Sequence, residues 1–560
     1  MSADPSVALA QAVVRELVGA GVREAVVCAG ARNAALVAVL GKTPALRLWS
    51  FPEERSAAFF ALGRVMREGR PVAVVTTSGT AAAELLPAVI EAFYQGQPLI
   101  LVTADRPRAY RGTGAPQAIE QVGLFSRYVY VCEDIDDSAQ MFGVRLTLNQ
   151  WDGNAPFHLN VCLEEPSAAA LAAIDGMGSN EWDTEFPATG QQGRREIKAF
   201  RASHACEAVQ HFLDDTDGAG PLVAVVASLP QEEQGGVLAL LKKLGCPVIA
   251  EATSGLRESP GLAAQLVRGG ESALSAVPVG RVLRIGGVPS SRWWRDLESK
   301  PDVSVLSLSA TDFPGLARAS EVCGFPDWPM LEPDEALYPI PNNTTNTPRQ
   351  EQEQGGFLAA YPRSEPALVY ALSKIIPRGA LVFLGNSLPI REWNSFATTE
   401  DRGLRCFANR GANGIDGCVS TFLGLSADES ESWCVIGDLT ALYDLAALWI
   451  TPALPAARRR LVVINNGGGR IFSRVAALRG LGEAERRLME NPHALKFQPW
   501  AEMFGWEYRC VTTPEELALL PGDAPNLLIE MIPDPEQTEA FWAASSETVS
   551  PSAIQTPHSR

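Results

Sequence analysis

Short runs of apolar, β-branched residues alternate with helical stretches along almost the whole chain. Examples are residues 72–77 (VAVVTT), 99–103 (LILVT) and 461–465 (LVVIN). These runs are apolar throughout, so both faces of the sheets that they form must be covered. Strands of this kind that are separated by helices form parallel sheets. The pattern therefore predicts an α/β protein built from doubly wound parallel sheets.

Two polar segments divide the chain into three such units. Residues 181–195 are interrupted by Pro and Gly, and residues 326–356 are rich in Pro, Asn, Thr, Glu and Gln, which is typical of connections. The tail after residue 545 is rich in Ser, Thr and Pro, and chain ends of this kind fray. The predicted domains are residues 1–180, 196–325 and 357–545, with a linker at 326–356 and a disordered tail at 546–560.

The first and third units share a layout. Residues 72–107 and residues 432–468 each read as a strand, a glycine-containing turn, a helix and a second strand with a polar end. Matching units of this kind indicate duplicated domains that face each other.

Charge and motif content exclude several classes of protein. The 560 residues include 47 Lys and Arg against 65 Asp and Glu, a net charge of −18, whereas nucleic-acid binders need a basic face. No apolar run reaches the ~18 residues of a membrane span, and the first residues lack a signal-peptide layout. We therefore expect a cytoplasmic protein with no nucleic-acid partner. The absence of CxxC, HExxH and GxSxG motifs excludes zinc-ribbon, zincin and α/β-hydrolase chemistry.

Polar residues follow two consecutive strands of the third unit. Asp438 comes directly after one strand and Asn466 after the next, and parallel strands end at the same edge of a sheet. A carboxylate and an amide oxygen suit Mg²⁺ or Mn²⁺, and the carbonyl group of Gly468 could add a third ligand. The amides that begin the helix at Thr440 favour a phosphate group. The alternative is that Asp438 only caps this helix.

Five sequence blocks resemble a known enzyme family. They are NRGANGIDG at 409–417, GDLTALYDL at 437–445, NNGGGRIF at 465–472, TADRP at 103–107 and GNSL at 385–388. Together they resemble the synthases of 2-succinyl-5-enolpyruvyl-6-hydroxy-3-cyclohexene-1-carboxylate (SEPHCHC) in menaquinone biosynthesis, which are thiamine-diphosphate enzymes. The blocks span the first and third units, and the middle unit matches only weakly. The resemblance implies pyrimidine-binding, central and diphosphate-binding domains, in that order.

The resemblance also implies a carboligase activity. The family decarboxylates 2-oxoglutarate on thiamine diphosphate, with Mg²⁺ or Mn²⁺, and adds the succinyl semialdehyde carbanion to isochorismate. Glu54 matches the catalytic acid that hydrogen-bonds the pyrimidine ring of the cofactor. In the family, this acid and the diphosphate site come from different subunits, so a homodimer or a dimer of dimers is implied.

The remaining site residues follow from the same resemblance. The cofactor contacts would be Glu54, Ser387, Ile415, Gly437, Asp438, Leu439, Thr440, Asn466, Gly468, Ile471 and Phe472, of which Asp438, Asn466 and Gly468 would hold the metal ion. Arg391 and Ser387 would bind 2-oxoglutarate. Isochorismate would be bound by Arg32, Arg106, Gln117, Arg292 and Arg410. Arginine suits these substrates because its planar fork binds a carboxylate through two hydrogen bonds.

Three positions depart from the family pattern, and all lie on the isochorismate side. Ala31 replaces a serine, Pro116 replaces an asparagine, and Trp293 follows Arg292 where a second basic residue is usual. A related 2-oxo-acid decarboxylase or carboligase with another acceptor is therefore an alternative. A catalytically silent, cofactor-binding paralogue is a second one, although such a protein would have no need for Glu54.

Overall fold

Three parallel β-sheets organise the part of the chain that the computed structural model describes, residues 4–175, 204–214, 220–268, 277–331, 355–478 and 480–547. The sheets contain six, five and six strands, and helices lie between most successive strands. The α/β prediction of three doubly wound parallel sheets is confirmed.

The first sheet has the strand order β2-β1-β3-β4-β6-β5. Every residue of β1, β3, β4 and β6 is buried, as the apolar runs predict. The strands are β1 (Glu24–Val27), β2 (Arg47–Ser50), β3 (Val72–Thr76), β4 (Leu99–Asp105), β5 (Cys132–Ile135) and β6 (Phe157–Cys162). The helices are α1 (Pro5–Gly19), α2 (Ala34–Gly41), α3 (Glu54–Glu68), α4 (Thr80–Ala83), α5 (Leu86–Gln95), α6 (Met141–Gln150) and α7 (Ala168–Asp175).

The second sheet has the order β11-β10-β9-β7-β8. Its strands are β7 (Leu222–Val226), β8 (Val248–Ala250), β9 (Arg281–Ile285), β10 (Ser304–Leu308) and β11 (Glu321–Cys323). The helices beside it include α8 (Gln234–Leu244) and α9 (Arg292–Asp296).

The third sheet has the order β13-β12-β14-β15-β17-β16, which is the order of the first sheet. Its strands are β12 (Leu381–Leu384), β13 (Arg405–Phe407), β14 (Glu431–Gly437), β15 (Arg458–Ile464), β16 (Glu507–Val511) and β17 (Asn526–Met531). The helices are α10 (Glu365–Ile375), α11 (Leu388–Phe396), α12 (Cys418–Leu425), α13 (Asp438–Tyr443), α14 (Glu483–Glu490), α15 (Gln498–Met503), α16 (Pro514–Leu517) and α17 (Pro535–Glu547). The shared order agrees with the duplicated layout that the sequence indicates.

Helices α3 and α12 join the first and third units. A Cβ atom on Gly63 would lie 2.1 Å from the carbonyl oxygen of Thr421, and one on Gly424 would lie 2.1 Å from that of Phe60. The two backbones therefore touch at the crossing, and only glycine fits at either position. A single hydrophobic core continues across this contact from the first sheet to the third.

We expect Gly63→Ala to destabilise the protein by about 1–3 kcal/mol, because the added methyl group forces two packed helix backbones apart. Urea unfolding followed by circular dichroism measures this change. Gly143→Ala in α6 is the matched control, since nothing lies within 4 Å of its Cβ position and alanine favours a helix. An unfolding midpoint for Gly63→Ala equal to that of the wild type would contradict the close crossing.

Each sheet lies within one of the three predicted units, but the boundaries between units remain predictions. The connection at 181–195, linker residues 332–354 and tail residues 548–560 lie outside the described residues. Residues 546–547, which the sequence predicts to belong to the disordered tail, form the end of α17. Among the described residues, no helix is both long and apolar enough to cross a membrane.

Candidate active site

Asp438 lies at the carboxyl edge of the third sheet, where β14 and β15 pair up to Gly437 and Ile464. Oδ2 of Asp438 accepts the N–H groups of Gly467 at 2.8 Å and Gly468 at 2.9 Å. These amides directly follow Asn466, so the structure brings the Asp438 carboxylate next to the backbone that carries Asn466. Oδ1 of Asp438 accepts the N–H of Leu439, so Asp438 also serves the start of α13.

The amide group of Asn466 has one end bound and one end free. Its Nδ2 donates to Oε1 and Oε2 of Glu365, at 3.1 and 3.0 Å. Its Oδ1 is buried and accepts no hydrogen bond from any residue that the structure describes. A buried acceptor without a partner is costly, and a cation at this position would satisfy it.

Buried carboxyl groups surround this edge of the sheet. Burial raises the pKa of Asp438, although the amides of Gly467 and Gly468 and the nearby His493 oppose the rise. Burial also raises the pKa of Glu365 to about 7. The pKa of Glu392 is raised well above its usual value, because this carboxyl group is buried and lies beside the charge of Glu365. Negative charge at such a site is stabilised by a bound cation.

His493 lies next to Asp438, across the loop of three glycines at 467–469 (the glycine loop). Its Nε2 lies 3.3 Å from Oδ2 of Asp438, and its Nδ1 accepts the N–H of Leu495. Nε2 makes no hydrogen bond with any described residue, so His493 lies close to Asp438 without a hydrogen bond to it. The backbone holds this segment in place, since the N–H of His493 donates to the carbonyl oxygen of Gly467.

The glycine loop also carries the other residues assigned to the cofactor. Gly468 has φ +135°, and its carbonyl oxygen accepts the N–H of Arg470 at 2.8 Å, which leaves one lone pair for a further ligand. Ile471 and Phe472 lie in the short 3-10 helix Arg470–Arg474. Phe472 lines a cavity of about 140 Å³ below α14.

Glu54 is the first residue of α3 and is partly buried. Burial raises its pKa, and the charges of Glu53 and Glu84 add to the rise. Glu53 has a different task, because its side chain caps the helix by accepting the N–H groups of Arg55 and Ser56. The start of α3 contacts the end of α13, where Arg55 donates to the carbonyl oxygen of Tyr443 at 2.9 Å. Asp438 stands at the opposite end of α13.

The loop that carries Ile415 closes a cavity between the first and third units. This cavity of about 430 Å³ is lined by Phe59, Glu84 and Glu91 from the first unit and by Gly414 and Asp416, which flank Ile415. The buried carboxylate of Glu91 fastens the loop by accepting the N–H groups of residues 411 and 412 at 2.6 and 2.7 Å. Ile415 therefore lies on a loop that both units hold.

The arginines predicted to bind substrate lie in separate parts of the structure. Arg391 donates to the carbonyl oxygen of Ser387 at 2.6 Å, and Ser387 has φ +72°. Nearby, Arg410 is buried and donates to Oδ1 of Asn386 at 2.7 Å, and burial lowers the pKa of Arg410. The third unit thus brings Ser387, Arg391 and Arg410 to one region, at the start of α11.

The other predicted substrate residues lie in the first and second units. Arg106 donates to the carbonyl oxygen of Pro116 at 2.9 Å, and a Cβ on Gly79 would touch Gln117 at 3.3 Å. Arg32 is buried and directed elsewhere, to the carbonyl oxygen of Leu163 and to Glu165, at 3.0 and 3.1 Å. Arg292 is exposed at the start of α9, with Asp296 at 3.6 Å.

Comparison with known proteins decides the family. The family model described as "Thiamine pyrophosphate enzyme, N-terminal TPP binding domain" matches residues 7–124. A 2-succinyl-5-enolpyruvyl-6-hydroxy-3-cyclohexene-1-carboxylate synthase of Bdellovibrio bacteriovorus is 43% identical over 545 residues, 95% of this chain and 97% of the relative. Proteins of the same name are similar in Akkermansia muciniphila (43% over 93% and 95%) and Chloroflexus aurantiacus (32% over 90% and 88%). The chain belongs to the SEPHCHC synthase family.

Membership in the SEPHCHC synthase family confirms the resemblance seen in the sequence blocks. It also confirms an enzyme of the thiamine-diphosphate class, since thiamine pyrophosphate and thiamine diphosphate are the same compound. The matched region, residues 7–124, contains Glu54 and most of the first sheet. The similarity to SEPHCHC synthases extends across the middle unit as well, where the sequence blocks are weakest.

Sequence reasoning missed two residues of this candidate site, Glu365 and His493. Both touch a predicted metal ligand, but Glu365 lies 101 positions before Asn466, and His493 lies beyond a separate helix, α14. Neither belongs to a motif. The only available indication was the scarcity of histidine, with five in the chain.

Proposed function

We propose that the chain decarboxylates 2-oxoglutarate and joins the resulting four-carbon unit to isochorismate, giving SEPHCHC and CO₂. The observation that carries this proposal is the arrangement of Asp438 and Asn466, in a chain 43% identical to a named SEPHCHC synthase over nearly its full length. When bound, thiamine diphosphate supplies the nucleophilic carbon that attacks the 2-oxo acid. The residues of the chain bind and orient the reactants around it.

A divalent ion, Mg²⁺ or Mn²⁺, would be held by Asp438, Asn466 and Gly468. In the described ranges no three His, Cys, Asp or Glu side chains form a metal site by themselves, so the ligands here are mixed. They are one carboxylate, the free Oδ1 of Asn466 and the carbonyl oxygen of Gly468. Oxygen ligands of this kind, completed by phosphate and water, suit either ion. Gly437 and Thr440 would place backbone amides toward the diphosphate group, and Leu439, whose N–H donates to Asp438, would lie between them.

Glu54 would share a proton with the pyrimidine ring of the cofactor at N1′. Its raised pKa supports this role, because a carboxyl group exchanges a proton most effectively when its pKa approaches the working pH. Ile415, Ile471 and Phe472 would provide the apolar walls that hold the two rings and exclude water.

A homodimer, or a dimer of dimers, would complete the site. Glu54 of a second copy would serve the diphosphate site of the first, as the family resemblance implies, since Glu54 lies near the end of α13 opposite Asp438. Exposed apolar side chains near that end of α13 support such an interface: Tyr443, Leu445 and Trp449 are 41–53% exposed. Monomeric proteins rarely leave large apolar groups clustered in water.

The two substrates are carboxylates, and the arginines divide between them. Arg391 and Ser387 would hold 2-oxoglutarate, and Arg106, Gln117, Arg292 and Arg410 would hold isochorismate. Arg32 would join the isochorismate group by releasing the contacts with Leu163 and Glu165 that it makes in this structure.

We expect Arg391→Ala to raise the KM for 2-oxoglutarate by roughly 10-fold or more, since a hydrogen bond to a charged group contributes about 1.5–3 kcal/mol. The KM for isochorismate should stay near its wild-type value. Steady-state kinetics with each substrate varied in turn measures both. A change confined to the KM for isochorismate would show that the arginines are divided incorrectly.

The activity itself is tested by incubating the full chain with thiamine diphosphate, Mg²⁺, 2-oxoglutarate and isochorismate. The proposal expects CO₂ release coupled to consumption of isochorismate. CO₂ release that is indifferent to isochorismate would favour a 2-oxo-acid decarboxylase, or a carboligase with another acceptor. The departures at Ala31 and Pro116 are the specific observation behind this second candidate. Cofactor binding without CO₂ release would identify a silent paralogue.

A further inference from the structure

The side-chain amide of Asn466 can serve a cation in only one of its two orientations. Rotation by half a turn exchanges the positions of Oδ1 and Nδ2, which have nearly the same shape. In this structure Nδ2 faces Glu365 and Oδ1 faces the proposed ion site. In the reversed orientation an N–H group would point at the cation, and binding would be lost.

Glu365 is the group that distinguishes these two orientations. Both of its carboxylate oxygens accept from Nδ2 of Asn466, at 3.0 and 3.1 Å. When Glu365 is ionised, as a divalent cation nearby favours, the rotated amide oxygen would meet a carboxylate, and two acceptors at hydrogen-bond distance repel each other. A carboxylate has no N–H group with which to accommodate the reversed amide.

The surroundings keep Glu365 in this position. It is 2% exposed and begins α10, where its N–H donates to Oγ1 of Thr538 at 3.0 Å. The buried carboxyl group of Glu392 in α11 lies beside it. Glu365 therefore cannot turn away from Asn466 without leaving buried polar groups unpaired, which costs more than the bond itself.

We propose that Glu365 is a positioning residue that holds the amide of Asn466 with Oδ1 toward the divalent ion. This inference rests on the proposed function, because it requires Asn466 to be a metal ligand. Glu365 touches neither the ion nor the substrates, and acts only through Asn466. Residues that orient metal ligands in this way typically contribute 10–100-fold to metal affinity.

A double-mutant cycle with Mn²⁺ as the probe tests the proposal. Free Mn²⁺ is counted by electron paramagnetic resonance while the protein is titrated in saturating thiamine diphosphate. Glu365→Gln keeps the shape of the side chain but can face Asn466 with either an oxygen or an N–H group. We expect this variant to bind Mn²⁺ roughly 10–100-fold more weakly than the wild type.

Asn466→Ala supplies the second arm of the cycle. Alanine has no amide to orient, so any effect of Glu365 that acts through Asn466 is absent in this background. There Glu365→Gln should change the Mn²⁺ affinity by no more than about twofold. Loss of the negative charge alone, or a general disturbance of α10, would weaken binding by the same factor in both backgrounds.

Two control variants test whether the effect of Glu365→Gln comes from the orientation of Asn466. Glu392→Gln neutralises the neighbouring buried carboxyl group and leaves Asn466 untouched, so it should retain wild-type Mn²⁺ affinity. Glu365→Met replaces Glu365→Gln in the cycle if the glutamine variant folds poorly. Methionine has no strong hydrogen-bonding group, so its cycle should give the same pattern. Equal factors in both backgrounds, or wild-type affinity for Glu365→Gln, would overturn the inference. Failure of the wild type to bind Mn²⁺ with thiamine diphosphate would instead overturn the proposed metal site itself.

Discussion

Replacing Glu54 with glutamine should lower kcat by roughly 10²–10⁴-fold, the usual contribution of a positioned acid or base. Glutamine can still hydrogen-bond a ring nitrogen, but it cannot exchange a proton with it. Folding should be unaffected, because the side chain is only partly buried and its removal also relieves the repulsion from Glu53 and Glu84 that raises its pKa. Stopped-flow or steady-state assays of CO₂ release measure the loss.

Glu53→Gln is the matched control. This neighbouring residue caps α3 through both carboxylate oxygens, so the change should reduce stability by about 0.5–1 kcal/mol and leave turnover near the wild-type level. Unchanged activity of Glu54→Gln, or an equal loss for both variants, would remove Glu54 from the mechanism.

Replacing Asp438 with asparagine should abolish metal-dependent binding of the cofactor. Outer residues that orient ligands already contribute 10–100-fold to affinity, so loss of a carboxylate ligand should weaken Mg²⁺ binding by at least about 100-fold. Calorimetric titration of thiamine diphosphate at fixed Mg²⁺ concentration measures the effect. Wild-type affinity for this variant would contradict the proposed metal site.

The two variants together test how the site is shared between subunits. In a mixed dimer of Glu54→Gln and Asp438→Asn subunits, one site contains both changes and the other contains neither. Random mixing in equal amounts should therefore restore about a quarter of the wild-type activity, given a two-fold symmetric dimer. No recovery after verified subunit exchange would indicate that Glu54 and Asp438 of one chain serve the same site.

The sheets and the central pair of site residues could be predicted from the sequence because they depend on local patterns. Apolar runs specify buried strands wherever they occur, and the strand-end positions of Asp438 and Asn466 follow from parallel pairing. The close crossing of α3 and α12 could not be foreseen, because Gly63 and Gly424 each look like an ordinary glycine within a helix. Only their meeting in space gives them a role.

The directions of side chains were the second feature that could not be predicted from the sequence. Glu365 reaches Asn466 from the start of α10, and His493 reaches Asp438 from beyond α14, so no spacing along the chain relates them to their partners. Arg32 occupies the position that the family pattern indicates, but its guanidinium group is bound by Leu163 and Glu165. A motif specifies which residue occurs at a position, and tertiary packing decides where its side chain points.

The core shared by the first and third sheets has a consequence during protein synthesis. Arg64 of α3 bonds to the carbonyl oxygen of Gly424, 360 residues later in the chain. Ribosomes add about 5–20 residues per second, so α12 emerges roughly 20–70 s after α3. Throughout that interval the apolar face of α3 that α12 later covers stays exposed, and exposed apolar surface of this kind makes a folding intermediate prone to aggregation.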